Sequence, residues 1–296
     1  MSCTRCGGAE SNVWAAGLAH AALAGRTVVA TGTVPHDRPS GTFFERPGVH
    51  AVPRHWFEPV PDSADLTDEV FTRPSTFVGL DLRPEAQRSL LLELAAAFGA
   101  EYSLFPRHRG STDDYWLDND WFGPVDAELL YAVVRWLTPR KVIEIGTAFS
   151  WLLMEKALQK KRSEAPCDAV HIGLDPSAGE VSEGLPGLDL RREKVQTVPL
   201  SLFEELQAGN ILFIDSSHCV RTGGDVVYEC LEVLPRLNPG VVVHIHDIFL
   251  PAEYPREWLL SDLHFPSGQY LLQAFLASNS EFEVLPACHA FGALVS

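Results

Sequence analysis

From residue 141 to residue 296, the sequence alternates short runs of Val, Ile and Leu with stretches that have helical spacing. The apolar runs cover residues 141–145, 169–174, 194–198, 211–214 and 241–245, and the helical stretches cover 149–160, 201–207, 224–237 and 267–278. Nearly continuous apolar strands that alternate with helices are typical of a parallel sheet covered on both faces. The pattern therefore predicts an α/β fold, and further strands are expected at 281–285 and 291–295.

The first 120 residues are irregular, with scattered Pro, Gly and His and only short apolar runs. One helix is clear there: it follows Arg83-Pro84 and covers residues 85–98, where Leu and Ala recur at helical spacing. A helix at 126–137 then leads into the first strand. We therefore expect an N-terminal extension or cap over residues 1–120 and an α/β domain over residues 121–296.

The charge of the chain narrows the class of partner. Lys and Arg number 23 against 39 Asp and Glu, which gives a net charge of −16 with His neutral. Because such a chain attracts phosphates and anionic headgroups weakly, nucleic acid and membrane surfaces are excluded as main partners. No apolar run is long enough to span a membrane, and Glu10 and His20 break the pattern of a signal peptide. We expect a cytoplasmic enzyme with a small-molecule substrate.

The cysteines indicate no disulfide framework, because there are only six in 296 residues. Cys3 and Cys6 form one CxxC pair without a second pair downstream, whereas a structural zinc site needs four ligands. Two free thiols are expected at these positions.

Ligands of parallel α/β sheets bind beyond the carboxyl ends of the strands, so the residues that follow each strand are the first candidates for a site. Gly146 follows the first strand directly, where its backbone can approach a ligand and the next helix offers N-terminal amides. Ala148 and Trp151 occupy the other glycine positions of a dinucleotide fingerprint, so no room is made for a pyrophosphate. Glu144 would instead suit an ammonium group.

The second and fourth strands also end in polar residues. Asp175 could accept hydrogen bonds from a ribose diol, or it could cap the turn at Pro176. His218 closes the segment Asp215-Ser216-Ser217-His218, where a general base would be placed. A structural role for His218 is the alternative.

The fifth strand contributes two further candidates. Alternation places His244 and His246 on one face of the strand and Asp247 on the other. His244 lies deeper and is expected in the core, whereas His246 and Asp247 lie at the strand end. Asp215, Asp247 and one His could together hold a divalent cation.

Together these residues resemble the motifs of class I S-adenosylmethionine (SAM)-dependent methyltransferases. The matching segments are Glu144-x-Gly146 with Ser150, Asp175, Asp215-Ser216-Ser217-His218, the turn at 234–240 and the strand end at 244–249. Segments at 54–62, 79–82 and 126–131 resemble the lead-in of a bacterial subgroup of these enzymes, so the resemblance covers residues 50–296. It implies a Rossmann-like sheet that is mostly parallel, with an antiparallel last strand.

The resemblance also implies SAM as the cofactor. It places Glu144 near the amino group, Asp175 at the ribose, and the Asp215-Ser216 segment beside the methionine and the sulfonium. The residues expected to contact SAM are Glu144, Gly146, Thr147, Ser150, Asp175, Asp215 and Ser216. Substrate specificity is expected to come from residues 115–122 and 250–269.

The glycine loop departs from the pattern Glu-x-Gly-Ser-Gly-Tyr/Phe-Ser-Thr that is usual in the family, because it has Thr147, Ala148 and Trp151. Ala148 removes a glycine that would relieve crowding, so a different loop shape is expected. Trp151 either packs against the lead-in segment or lies near the sulfonium, where cation–π attraction contributes ~0.5–2 kcal/mol. The aromatic residues considered as a wall for the substrate or sulfonium are Tyr115, Trp121, Phe122 and Trp151.

Three functions are open at this point. The first is methyl transfer from SAM to an oxygen or nitrogen of a small metabolite in natural product biosynthesis. In it His218 is the base, and His246 and Asp247 orient that base or hold a metal. The second is a SAM cyclase, which forms azetidine-2-carboxylate and methylthioadenosine from SAM alone. The third is a SAM-binding protein without catalysis. Residues 1–50 are expected to fold over the site or to form a homodimer contact.

Overall fold

A computed structural model of the protein describes residues 28–32, 49–53, 59–110, 115–147, 149–178 and 187–290, the first two segments by their backbone. The strands are β1 Val28–Gly32, β2 Val49–Pro53, β3 Lys141–Ile145, β4 Val170–Leu174, β5 Leu188–Arg191, β6 Ile211–Ile214 and β7 Val242–Ile245. The main helices are α1 Asp68–Thr72, α2 Pro84–Tyr102, α3 Pro124–Leu137, α4 Phe149–Glu164, α5 Ser201–Glu204, α6 Asp225–Tyr228, α7 Arg256–Leu260 and α8 Gly268–Leu276. The expectations for Cys3, Cys6, Ala148, residues 54–58 and the strand at 291–295 lie outside the described residues.

The chain forms two compact units, Met1–Arg73 with Glu253–Phe265 and Pro74–Ala252 with Pro266–Ser296. In the first unit, β1 pairs in parallel with β2. Arg256 of α7 forms an ion pair with Asp68 of α1 and lies 4.9 Å from the centre of the Phe71 ring. Helix α1 adds a second helix to the one predicted for the extension. The domain boundary predicted near residue 120 stays a prediction.

The second unit contains a five-stranded sheet in the order β5-β4-β3-β6-β7, and all its pairings are parallel. The first strand in sequence lies in the middle, so the crossovers cover both faces, as in a doubly wound Rossmann-like sheet. The central strands β3, β4 and β6 are almost wholly buried, which explains their nearly continuous apolar sequences. The predicted α/β fold is confirmed.

Each face of the sheet has its own apolar layer. Side chains of α3 and α4 pack with Val142, Ile211 and Phe213 on one face. The opposite face carries side chains from the segment after β5, from α8 and from a helical run over residues 225–236 that starts with α6. They pack with Ile143 and Ile145. None of the described helices is long and apolar enough to cross a membrane.

The predicted antiparallel last strand is wrong for the described residues. Residues 281–285 form no strand, and every strand pairing that the structure describes is parallel. The alternation of apolar and polar residues in this segment comes from packing against a helix. The Phe282 ring packs edge-on against Phe275 of α8, with 5.1 Å between the ring centres. Glu283 faces outward and forms an ion pair with Arg83. The Phe282 side chain is thus partly buried against a helix and has no strand partner among the described residues.

The strand predicted at 194–198 is also wrong. The edge strand is β5, which lies earlier in the sequence, and Val195–Thr197 form a 3₁₀ turn. Val195 and Val198 are both buried, and a spacing of three fits a tight helical turn as well as a strand. β5 contains only two apolar residues, Leu188 and Leu190, which is a weak signal typical of an edge.

Gly146 joins the ends of β3 and β6. Its φ angle is +80°, and a Cβ atom at this position would lie 1.9 Å from the backbone oxygen of Asp215. The Asp215 N–H donates to the carbonyl of Ile145 at 2.8 Å, and the Gly146 N–H donates to Leu174 at 2.9 Å. Only glycine fits here, since both the backbone conformation and the available space exclude a side chain.

We predict that Gly146→Ala lowers the free energy of unfolding by about 3–5 kcal/mol, because it combines left-handed strain with a clash against backbone. Gly209→Ala is the matched control, since Gly209 has φ +81° and no atom lies within 4 Å of the position that a Cβ would take. It should cost only about 1–2 kcal/mol from strain alone. Urea denaturation of both variants measures the difference, and equal losses would show that the contact with Asp215 is unimportant.

Candidate functional site

Four residues form one row across the carboxyl edge of the sheet: Asp175, Gly146, Asp215 and His246. Their backbone N–H groups each donate to the neighbouring strand, at 3.1, 2.9, 2.8 and 2.9 Å respectively, so the ladders continue past the strand ends. The residues just before these four positions are paired across neighbouring strands, so the strand ends are in register. Along each strand, side chains two residues apart lie on the same face of the sheet. The sheet therefore places two carboxylates and an imidazole side by side, with a gap at the glycine.

A cleft of about 340 Å³ opens at the ends of β3, β4 and β6. Its volume lies in the range of small-ligand sites. Its polar lining includes Gly146, Asp175, Ser177, Lys194, Gln196, Asp215, Ser216, Ser217, Arg221 and Asp225. Four of the seven residues predicted to contact a cofactor are thus in this lining: Gly146, Asp175, Asp215 and Ser216.

Asp175 holds the turn at one end of the cleft. Its Oδ1 accepts a hydrogen bond from the Ser177 N–H at 2.8 Å, so one oxygen of Asp175 caps the turn at Pro176. Its Oδ2 lies 3.4 Å from the N–H and 3.5 Å from the hydroxyl of Thr147. Thr147 itself is buried, and its methyl group fills the space left by Gly173. The carboxylate is therefore oriented from two sides at the edge of the cleft.

Glu144 and Ser150 lie inside the protein and are not among the cleft-lining residues. Glu144 is fully buried, and its Oε1 accepts a hydrogen bond from the Ser150 hydroxyl at 2.5 Å. Its Oε2 lies 3.0 Å from Nε2 of His171, but the alignment of these atoms is not that of a hydrogen bond. Burial raises the pKa of Glu144, and His171 offsets part of that rise. Contact between Glu144 and a ligand amino group stays a prediction.

Asp215 gathers the predicted catalytic residues into one cluster, the Asp–His tetrad of Asp215, His218, His246 and Asp247. Its Oδ1 lies 3.1 Å from Nε2 of His218 and 3.3 Å from Nδ1 of His246. Asp247 lies 3.5 Å from the His218 ring and 3.6 Å from the His246 ring. The strand ends of β6 and β7 thus bring together all three predicted catalytic residues.

Charge pairing within the tetrad shifts its proton affinities. Burial alone would raise the pKa of Asp215, but hydrogen bonds from His218 and His246 outweigh it and hold this pKa well below its usual range. Burial lowers the pKa of His246, yet the adjacent Asp215 carboxylate outweighs it and leaves the pKa raised. Burial raises the pKa of Asp247. Two imidazoles and two carboxylates therefore lie within proton-transfer distance of one another.

Two residues of the tetrad have left-handed backbone conformations. The φ angles of His218 and Asp247 are +55° and +53°, which cost about 1–3 kcal/mol each for residues other than glycine. The His218 carbonyl accepts hydrogen bonds from the N–H groups of Ser267 and Gly268, both at 2.7 Å. These two bonds hold the His218 conformation that directs its ring toward Asp215.

The tetrad also offers a donor set for a divalent cation. One ligand atom from each of Asp215, His246 and Asp247 lies within 4.8 Å of the others. Two carboxylates with one imidazole suit several divalent ions. The sequence predicted Asp215, Asp247 and one histidine as ligands for a cation. In the group just described, that histidine is His246.

The four predicted aromatic wall residues lie in different places. Tyr115 is fully buried and donates its hydroxyl to the carbonyl of Phe122 at 2.6 Å, while Trp121 is 73% exposed. The Phe122 ring lies 4.8 Å from the His246 ring. Trp151 is buried 6.2 Å from His171. Phe122 is therefore the member of this set whose ring contact with the tetrad is established.

Three acidic residues around the site were not predicted from the sequence. Asp126, at the start of α3, has its Oδ2 4.0 Å from Nε2 of His246. Asp225, at the start of α6, accepts hydrogen bonds from the N–H and the hydroxyl of Ser217 at 3.0 and 2.6 Å. The Oε2 of Glu229 lies 3.0 Å from the hydroxyl oxygen of Ser216, within hydrogen-bond distance. Asp126 and Asp225 share one signal, a position in the first turn of a helix, where carboxylates are favoured.

Comparison with known proteins adds little to this geometry. No protein-family model and no curated protein matches the sequence. A solved structure titled "CmcI-N160 apo-structure" is similar to this chain at 16% identity, over 60% of this chain and 72% of that chain, with a TM-score of 0.34. Such a low TM-score carries no argument about activity, so the functional assignment depends on the site itself.

We predict that Asp215→Asn destabilises the protein by about 1–3 kcal/mol near pH 6, because two charge-assisted hydrogen bonds are lost. The lowered pKa of Asp215 gives stability that is present above its unfolded pKa and lost as pH falls through the folded value. The raised pKa of His246 gives stability that is present below its unfolded pKa and lost as pH rises through the folded value. The loss in the variant should therefore shrink above neutral pH.

Denaturation at several pH values measures this effect, with exposed Asp168→Asn as the control for removal of one charge. A loss that is independent of pH would contradict the paired state of the tetrad.

Proposed function

We propose that this chain binds SAM in the strand-end cleft and transfers a methyl group to an oxygen or nitrogen of a small metabolite. The observation that carries the proposal is that Asp215 lines the cleft and also holds both histidines of the tetrad. A ligand site and a group of proton-transferring residues therefore share one side chain. The resemblance of the strand-end residues to class I methyltransferases supports SAM as the ligand.

The cleft residues fit SAM by size and by charge. Asp175 presents a carboxylate at one end, which suits the two hydroxyls of a ribose. Asp215 and Asp225 add two carboxylates to the lining, whereas Lys194 and Arg221 supply the cations there. SAM carries a sulfonium, an ammonium and one carboxylate, so its net positive charge complements an acidic lining. When bound, SAM supplies the methyl group as an electrophile.

The tetrad would remove the proton from the acceptor. The Asp215 carboxylate fixes Nδ1 of His246, which leaves Nε2 of that ring to take a proton, as in other aspartate–histidine pairs. His218 bonds to the same oxygen through its Nε2 and shares the charge of Asp215. Either imidazole can serve as the base, and the other then keeps the carboxylate oriented.

A divalent cation is a second use of the same residues. Asp215, His246 and Asp247 would hold it, and a bound cation lowers the pKa of an acceptor hydroxyl. In that case His218 is the imidazole that stays outside the ligand set. Loss of activity in chelator, restored by one added divalent ion, would support this use.

The direct test is to incubate the pure protein with SAM alone and then with hydroxylated and amino metabolites, and to identify the products by mass. We expect SAM to bind and stay intact when alone, and S-adenosylhomocysteine to form once an acceptor is present. Methylthioadenosine with azetidine-2-carboxylate from SAM alone would overturn methyl transfer in favour of cyclisation. Absence of SAM binding would overturn the proposal as a whole.

We predict that His218→Gln and His246→Gln each lower kcat by about 10²–10⁴-fold, because each removes a proton acceptor or its partner. The affinity for SAM should change little, since neither imidazole lines the strand-end cleft. His108→Gln is the control, because the His108 side chain is exposed and its ion pair is with Asp118, which is not a member of the tetrad. Full activity in both tetrad variants would contradict the assigned chemistry.

A further inference from the structure

Glu229 lies behind the cleft and belongs to no part of the chemistry described above. It is only 2% exposed, on the helical run that continues α6. Its Oε2 lies 3.0 Å from the hydroxyl oxygen of Ser216, and Ser216 lines the strand-end cleft. Its Oε1 has no hydrogen-bond partner among the described residues. A buried acid thus connects to the ligand site through a single serine.

The surroundings of Glu229 disfavour a negative charge. The carboxyl group borders a separate cavity of about 20 Å³, which has room for about one water molecule. Most of the cavity lining is apolar, including Ile214, Val226 and Leu234. The ionisable and polar groups that face Glu229 are Asp225, Ser216, His218 and Cys230. None of these is an Arg or Lys that could neutralise a carboxylate.

These surroundings keep Glu229 protonated at neutral pH. Burial raises the pKa of Glu229 to about 8, the Asp225 carboxylate adds to the rise, and the Ser216 hydroxyl offsets a small part. An unpaired carboxylate in an apolar environment is costly, so the group stays neutral instead.

The protonation state of Glu229 decides what Ser216 can do in the cleft. One hydrogen atom lies between the two oxygens at 3.0 Å. If Glu229 is an acid, it donates that hydrogen, and the hydroxyl hydrogen of Ser216 is free to point to a ligand. If Glu229 is a carboxylate, Ser216 must donate to it and can only accept hydrogen bonds from a ligand.

We infer that Glu229 is a positioning residue whose acid form makes Ser216 a hydrogen-bond donor to an oxygen of the ligand in the strand-end cleft. The inference rests on the proposed function, because the ligand is taken to be SAM or its product. Ligand affinity should then fall as Glu229 loses its proton, although Glu229 itself does not touch the ligand.

The test measures the affinity for S-adenosylhomocysteine by calorimetry at about pH 6.5 and about pH 9, on either side of the Glu229 transition. Wild-type protein should lose about tenfold in affinity over this range, the value of one hydrogen bond. Glu229→Gln should keep its affinity at both pH values, since the amide donates to Ser216 without titrating. Ser216→Ala should bind weakly at both.

Glu232→Gln is the matched control, because Glu232 lies on the same helical run but pairs with Arg236 at the surface. It should follow the wild type, including any titration of the ligand itself. Infrared spectroscopy of the ligand-free protein at neutral pH gives an independent readout. A protonated-carboxyl band should be present in the wild type and lost in Glu229→Gln.

The same pH dependence in wild type and Glu229→Gln, with tight binding in both, would overturn this inference and leave the proposed function intact. Absence of the infrared band would also overturn it. If the wild type does not bind S-adenosylhomocysteine at either pH, the proposed function fails and this inference fails with it.

Discussion

The contact between the backbone of Gly146 and the carbonyl of Asp215 determines the layout of this site. Because no side chain separates the ends of β3 and β6, the Asp215 backbone stays in the ladder, and its carboxylate reaches the edge of the sheet. A cleft then remains on one side of Asp215, and two histidines lie on the other. A bulkier residue at 146 would displace both the cleft wall and the tetrad.

The ionisable groups around this edge are arranged so that few of them carry an unopposed charge. Asp215 is stabilised as a carboxylate by two imidazoles, whereas burial and the nearby Asp225 carboxylate raise the pKa of Glu229 and favour its neutral acid form. The two carboxyl groups are linked through consecutive residues, since Ser216 follows Asp215 and bonds to Glu229. Opposite environments thus favour opposite protonation states for these two acids, an arrangement common in sites that bind ligands and move protons.

Much of this arrangement is predictable from the sequence, because parallel strands bring their carboxyl ends to one edge. The apolar runs at β3, β4, β6 and β7 identify that edge, and the polar residues that follow them include most of the cleft lining and the whole tetrad. The segment at 281–285 shows the limit of periodicity, since alternation there comes from packing on α8 and not from strand pairing. The burial of Glu144 depends on how α4 covers the sheet, which spacing alone does not show.

Glu229 illustrates a signal that was present but easy to miss. In sequence it resembles Glu232, and both acids lie in the same helical run. Helical spacing, however, places residue 229 on the face of Val226 and Val233, which are buried, and places residue 232 away from it. An acid on the apolar face of a helix that follows a strand-end loop is therefore worth testing as a buried, neutral group.

The crystal structure of the complex with S-adenosylhomocysteine would test the central claim most directly. We predict density for the ligand in the cleft at the ends of β3, β4 and β6, with its ribose on Asp175 and its sulfur facing the tetrad. Ligand bound elsewhere, or a cleft that stays empty at saturating ligand while Gly146 and Asp215 keep their contact, would contradict it.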